Sequence, residues 1–498
     1  MISNLNLTWL SLTLSLLTST HSQIINQDQA KLDLSYLKPN VHTLVKALDN
    51  NSTFIWDRLA EMTDLYGHRI TGSKGLEDSI KWIVKNLKQD GIDVHTEPTK
   101  ADYWVRGEES LILHTPTRGD VKLEILGLGR SVGTPEKGIT GEVVSISSWE
   151  ELKEVGEKGG LRNKIVLCNF RWTSYGKGST ARQKCAVTSE PYGAIAALVR
   201  SVTPFSLNTP HTGAMSRSKI PGASVTVEDA EYLVRLEKRA KTATTENKAI
   251  FKPPVVTLKM KACTRKNKAI IRNVIAEIKG REKPNEVLIL SGHIDSWDVG
   301  VGALDDGAGA FIAWEALRQI AKLPQRPRRT IRAIFWTNEE AGSAGGLDYF
   351  ERNKNKLEDH ILAFESDYGT FSPYGLGFDG LPEARAILKQ IGSELLNHTT
   401  FGNVLEGANG TTDVDPLCES GIPCAGITTT DHIFNIKPDS PDYHNSGYFV
   451  YHHTKGDRME ALNPSELNRC SAAAASYIYA IAELKETLPK KIVTPPPS

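Results

Sequence analysis

Leu76, Ile80, Ile83, Val84 and Leu87 recur at helical spacing among polar residues, and the pattern from about Asn50 to Gly91 predicts helix with one face committed to a partner. From Val121 to about Leu258, short apolar runs such as Leu123-Glu124-Ile125-Leu126 and Lys164-Ile165-Val166-Leu167 alternate with short helical stretches and are broken by Gly and Pro. That rhythm marks a separate middle module. Beyond it the signals sharpen. Residues 273–278, 286–291, 330–336 and 360–364 read as strands, and 307–323, 382–396 and 464–484 as helices. Strands alternating with amphipathic helices predict an α/β fold, a mostly parallel sheet flanked by helices. In such sheets, functional groups gather beyond the carboxyl ends of the strands.

Near the N-terminus, the uncharged run from Trp9 to Leu17 is followed by mostly small residues from Thr18 to Ser22. It reads as a secretory signal over 1–22, cleaved after Ser22 with Thr20 at the −3 position. The run is too short to cross a bilayer, and no later stretch reaches the roughly 20 apolar residues a spanning helix needs, so no membrane span is expected. Sequons at Asn50, Asn51, Asn397 and Asn409 fit a glycosylating compartment.

The 498 residues carry 59 basic and 59 acidic side chains. Zero net charge lacks the footprint of a nucleic-acid binder, and the length allows two or three domains. Six cysteines are too sparse for a disulfide scaffold. Cys418 and Cys424, flanking Gly421-Ile422-Pro423, either close a small loop or stay buried thiols. Residues 489–498, rich in proline at their end, read as a disordered tail.

Metal-binding residue types fall where the sheet rule puts a site. One strand ends in Gly292-His293-Ile294-Asp295, followed by a Gly-rich loop and Asp305-Asp306; another ends in Glu339-Glu340; a third in Glu365-Ser366-Asp367; an aromatic segment, 448–451, ends in His452-His453. Singly, each has a bland reading: a solvated loop pair, an N-cap at Asp306, surface glutamates. Together, carboxylates gathered at one sheet edge would repel one another and resist ionisation unless cations neutralise them. Two imidazoles and three or more carboxylates exceed one tetrahedral zinc but suit two ions sharing a carboxylate. Such a pair holds a water, lowers its pKa and polarises a carbonyl, the equipment of hydrolysis.

The series His293-x-Asp295, Asp305-Asp306, Glu339-Glu340, Glu365-Ser366-Asp367 and His453-x-x-x-Asp457 resembles that of the co-catalytic zinc exopeptidases related to bacterial leucyl aminopeptidases. Residues 293–300, Arg106-Gly107-Glu108-Glu109-Ser110, Pro210-His211-Thr212-Gly213 and 225–231 are similar to a carboxypeptidase branch of that family. The resemblance implies His293 and Asp367 on one zinc, Glu340 and His453 on the other, Asp305 as the bridge and Glu339 as general base. It implies Asp295 orienting His293 and Asp457 orienting His453, and a cis peptide between Asp305 and Asp306. It also implies a propeptide over 23–45, a peptidase domain over 46–118 and 269–488, and a protease-associated-like insertion over 119–268. Short peptides as substrates, a homodimer, and a secreted or lysosomal location complete the expectation. The chain departs from the family pattern between Ile427 and His453, where a longer segment brings His432 and His444 as rival ligands. The sequon at Asn409 lies beside Thr411-Thr412-Asp413, near the site in that family.

Three other readings stay open at this point. Aminopeptidase specificity uses the same centre. Ala341-Gly342-Ser343-Ala344-Gly345 imitates a nucleophile elbow, with Asp413 or Asp431 and His453 completing a serine hydrolase order. A receptor-like relative would keep the architecture without turnover.

Overall fold

Leu288 and Leu290 belong to one hydrophobic core, while Ile289 between them belongs to another. Ile331, Ala333 and Phe335 likewise face one side, and Ile334 and Trp336 the other. This alternation on continuous apolar runs is that of strands buried on both faces. In a computed structural model, described over residues 31–48, 52–204, 207–368, 370–408, 411–431, 436–440 and 446–493, they lie at the centre of an eight-stranded sheet. Its strands are β1 (Asp93–Ala101), β2 (Ala269–Ile278), β3 (Lys283–His293), β4 (Arg329–Trp336), β5 (His360–Glu365), β6 (Pro373–Asp379), β7 (Asn403–Glu406) and β8 (Cys424–Thr429). Across the sheet they run β1-β2-β4-β3-β5-β8-β6-β7. The inner strands β4, β3, β5 and β8 are parallel, so their carboxyl ends share one edge. Antiparallel pairs, β1 with β2, β2 with β4 and β6 with β8, make the sheet mixed.

Helices α1 (Lys38–Leu48), α2 (Phe54–Tyr66) and α3 (Lys74–Gln89) are the first α-helices among the described residues. The single helical region expected over 50–91 is two helices. The chain breaks between Gly67 (φ 63°) and Gly72 (φ 82°), and the Ser73 side chain caps α3 by accepting from Leu76 N. Leu76, Ile80, Ile83 and Leu87 are buried as the stripe requires. The middle of the chain forms a second eight-stranded sheet, from Glu109–Thr115 to Val255–Met260, covered in part by α4 (Tyr175–Ser189). Later come α5 (Ala308–Ala321) and α6 (Pro464–Glu483), the latter capped by Asn463 and buried along almost its whole length.

Two disulfides form, Cys168–Cys185 and Cys418–Cys424, leaving Cys263 and Cys470 free. The first ties α4 to the strand Ile165–Cys168. The segment expected as a propeptide carries most of α1, whose Val41, Leu44, Val45 and Leu48 are buried in the main core, so a boundary at 45 would split one helix. Residues 489–493 are tied down, contrary to the expected tail: Lys490 Nζ donates to His360 O (2.7 Å), Val493 N donates to Ser420 O (2.9 Å), and Ile492 packs on the core. No helix among the described residues is long and apolar enough to cross a membrane. The expected signal, the sequons at Asn50, Asn51 and Asn409, and the rival ligands His432 and His444 lie outside the described residues.

Candidate metal centre

Each ligand-type residue sits just past the end of a buried strand or in a tight turn. β3 ends at His293, and residues 294–302 lead to the Ala303–Gly307 turn, where the peptide Asp305-Asp306 is cis. Asp306 points away from the ligand cluster: its carboxylate accepts from His293 N (3.0 Å) and Gly309 N (2.9 Å), fixing the end of β3 against the start of α5. A side chain at Gly309 would place its Cβ 1.9 Å from Ser366 O, so glycine is what lets α5 close on the strand edge. β4 ends at Trp336, and Asn338 turns the chain at φ 71°, so Glu339 and Glu340 are free of strand alternation and both reach the cleft. Two residues beyond β5, Asp367 accepts from Tyr448 Oη (3.3 Å).

The acidic and imidazole groups converge. Asp305 divides its oxygens between two imidazoles: Oδ1 lies 3.3 Å from His293 Nε2, and Oδ2 lies 3.2 Å from His453 Nε2. Asp367 Oδ1 lies 3.8 Å from His293 Nε2, and Glu340 Oε2 lies 2.9 Å from His453 Nε2. Glu339 Oε2 stands 3.9 Å from His293 Nε2. Zinc bonds of 2.0–2.2 Å place neighbouring ligands of one tetrahedral ion roughly 3.3–3.5 Å apart, so the two spacings from Asp305 to the imidazoles are those of shared ions. His293 Nε2, Asp305 Oδ2 and Glu340 Oε1 are buried without a hydrogen-bond partner, which a cation between them would supply.

The tautomers fit as well. His293 Nδ1 donates to Asp295 O (3.1 Å) and His453 Nδ1 to Thr212 O (3.2 Å), leaving both Nε2 atoms bare toward the cluster. Burial lifts Glu339 well above the usual carboxylate range, with Glu340 and Asp367 adding to it against the pull of His293. Burial and Asp305 likewise raise Glu340 to about 7. Burial also pushes Asp305 upward, but His452, His293 and His453 hold it well below the range. Without a cation these carboxylates cannot all ionise together.

The two expected orienting residues differ. Asp295 stands beside His293: Nδ1 donates to its main-chain carbonyl and lies 3.7 Å from its carboxylate Oδ1, which also accepts from Glu339 N (3.1 Å). Asp457 does not support His453. The 454–457 turn carries it toward Leu304, whose N–H donates to Asp457 Oδ1 at 2.7 Å, so it braces the residue before Asp305. His453 is held by the middle module: Thr212 N donates to His453 O (3.0 Å), and His211 Nδ1 donates to His452 O (2.9 Å). His452 stacks on His453 with ring centroids 3.5 Å apart and brings its Nε2 to 3.5 Å from Asp305 Oδ2. The adjacent pair was visible in the sequence, but nothing there showed that both rings reach the bridge. Arg69, fully buried, donates to the carbonyls of Ile294, Val301 and Gly302 in the loop joining His293 to Asp305. No local motif signals it. Among the described residues no hydrogen bond links Ser343, Asp413 and His453, so the serine triad does not assemble.

The family model of peptidase family M28 matches residues 273–478. Carboxypeptidase Q of Xenopus laevis is 40% identical over 440 residues, 87% of each chain, and that of Homo sapiens is 39% identical over 87% of this chain and 86% of its own. Among solved structures, the peptidase M28 precursor from Shewanella amazonensis aligns with a TM-score of 0.81 at 28% identity, covering 93% of this chain and 100% of that one. The zinc aminopeptidase of Bacillus subtilis shares the fold, with a TM-score of 0.63 at 19% identity over 85% and 94% of the two chains. With its sheet edge, its paired histidine and carboxylate clusters and this extent of likeness, the chain belongs to peptidase family M28, alongside the carboxypeptidase Q proteins, and is a zinc metallopeptidase.

Proposed function

We propose that the protein is an exopeptidase that hydrolyses dipeptides or short peptides with two zinc ions and Glu339 as general base. The observation that carries this is Asp305, with one oxygen toward each imidazole cluster. In this reading His293, Asp305 and Asp367 would hold one ion, and Asp305, Glu340 and His453 would hold the other. Zinc bound there would supply a Lewis acid for a carbonyl and would make a water more acidic. Glu339 does the rest of the proton work. It is outside both ligand sets, its backbone is pinned by Asp295, and its carboxylate lines the cleft. Its carboxylate takes a proton from the attacking water and hands it to the leaving amine.

The cleft, about 360 Å³, is walled on one side by the catalytic loops and on the other by Tyr175 and Arg182 of α4. That volume suits a short peptide better than a folded chain. The two disulfides support an oxidising location, in keeping with secretion or a lysosomal lumen. The test is Glu339→Gln with zinc analysis on the same preparation. Zinc is expected to stay at two per chain while kcat falls by roughly 10²–10⁴-fold, and chelation is expected to abolish turnover. Unchanged turnover in the variant would refute the assignment of the base.

A further inference from the structure

Arg130 enters the cleft from the loop after the strand Ile125–Gly127 and lies against the segment that carries Glu339 and Glu340. Its Nη2 donates to Ala341 O, the carbonyl next to Glu340. The approach is built in: a Cβ at Gly342 would lie 2.3 Å from that Nη2, so glycine leaves the space the guanidinium fills. Arg130 itself holds φ at 71°, a left-handed backbone that disfavours any side chain. Such an outlier beside a reactive cleft points to a side chain kept there for use.

The guanidinium is only partly spent: Nη2 gives one hydrogen bond to Ala341 O, Nε is buried with no partner, and no acidic side chain pairs with it among the described residues. Asp102, the acid that acts on it electrostatically, is bonded to Arg217. Arg182, the other arginine of the cleft, differs: its donors go to Ala214 O, Thr212 O and Tyr175 Oη. The carboxylates of the cleft tell the complementary story. Asp305, Glu339, Glu340 and Asp367 line it, and each already has a role in the reading above. No further carboxylate among the described lining residues is left for a substrate ammonium, whereas one cation is left for a substrate anion.

We infer that Arg130 binds the α-carboxylate of the substrate's C-terminal residue, which makes recognition of a free C-terminus the specificity of this cleft. The inference rests on the exopeptidase reading. A planar fork of N–H donors matches a carboxylate, and in a dipeptide that group follows the scissile bond by one residue, about one Cα–Cα step of ~3.8 Å. Anchoring it next to Glu340 sets the scissile carbonyl over the ligand cluster.

The test compares wild type, Arg130→Gly and Arg130→Lys on one dipeptide with a free carboxylate and on its C-terminal amide, with zinc measured in each preparation. Glycine tolerates the left-handed backbone, so this truncation removes the guanidinium without straining the loop. Wild type is expected to favour the acid over the amide by about 10²-fold in kcat/KM, and Arg130→Gly to lose most of that ratio through KM. Arg130→Lys, which keeps charge without the fork, is expected to fall between them with zinc unchanged. Hydrolysis of acid and amide at equal rates by wild type, or an unchanged ratio in Arg130→Gly, overturns the role of Arg130 while leaving the exopeptidase reading intact. A wild type that holds no zinc and cleaves neither compound overturns both.

Discussion

Replacing Arg69 with Met tests whether the metal centre is assembled by a side chain far from it in sequence. Arg69 is fully buried and donates to three carbonyls, those of Ile294, Val301 and Gly302. All three lie between His293 and Asp305, so the guanidinium sets the path between these two residues. Its main chain also grips this loop: Arg69 N donates to Ser296 Oγ (2.9 Å) and Ser296 N to Arg69 O (3.3 Å). Met fills much of the volume but leaves the carbonyls without donors. A buried acceptor stripped of its partner costs about 1–3 kcal/mol, so three of them, partly relieved by relaxation, amount to about 3–6 kcal/mol. The variant also removes a positive charge facing Asp457, Asp295 and Asp306. Part of the cost falls on the loop and therefore on metal affinity, and groups that support ligands from outside typically contribute 10–100-fold. Chelator competition for zinc is expected to show a loss of that size, and thermal unfolding a lower midpoint that excess zinc partly restores. Arg69→Lys, able to reach fewer of the carbonyls, is expected to fall between. Wild-type zinc affinity together with a wild-type midpoint in Arg69→Met would refute the argument.

Two further outcomes follow from groups remote from the ligands. His360 is buried at the start of β5, its Nδ1 donating to Lys356 O (3.1 Å) and its Nε2 accepting from Tyr349 Oη (2.9 Å), so the neutral ring fits. Burial pushes its pKa down to about 4. A depressed folded-state value means its stabilisation is complete above the unfolded value near 6.5 and is lost as pH falls toward 4, about 3 kcal/mol in all. Denaturant melts of wild type and His360→Gln at pH 7 and pH 4 should therefore show a shallower acid loss in the variant, and equal losses would sink the idea. Arg106 pairs with Asp298 through Nε (3.0 Å) and Nη2 (2.6 Å), and its Nη2 also donates to Thr212 Oγ1 (3.2 Å), joining the middle module to the loop after β3. Removing either partner of so buried a pair should cost about 3–5 kcal/mol, and the Arg106→Gln/Asp298→Asn double variant should lose much less than the two single losses combined. Strict additivity would show the two side chains to be independent.

How far the site could be read from the sequence depends on what each residue type advertises. The gathering of His293, Asp305, Glu340, Asp367 and His453 at one place was legible because buried apolar runs announce parallel strands, and parallel strands deliver their functional groups at one edge. Glu339 entered through the family resemblance, and the turn at Asn338 is what lets it share the cleft with Glu340. Arg69 and Arg130 were not legible. A lone arginine in a loop looks like solvent-exposed charge, and its partners here are main-chain carbonyls that leave no mark on composition. Asp457 is another case: the family resemblance implied a partner for His453, but turn geometry sends the carboxylate to Leu304 N. Cys168 and Cys185, 17 residues apart on a strand and a helix, offer no motif, whereas the short loop of Cys418 and Cys424 at least raised the question.

The same contacts explain why the middle module belongs to the chemistry although none of the expected ligands comes from it. The chain leaves the main sheet at Ala101 and returns at Ala269, and those two residues are paired in the β1–β2 register, so the whole module hangs from one point of the sheet edge. A tether of that kind leaves orientation free; the orientation is set by the Arg106–Asp298 pair, by residues 211–212 bonded to 452–453, and by Arg130 lying on Ala341. Each of these contacts ends on a segment that adjoins or carries His293, Asp305, Glu339, Glu340 or His453. A shift of the module therefore moves His453 and the cleft wall together, and substrate anchored on Arg130 would move with them relative to β3 and β4. Changes at this seam should act first on KM and on the alignment of Glu339, and on the stability of the sheet only secondarily, because the sheet's own core of Leu288, Leu290, Ile331 and Phe335 includes none of the seam residues.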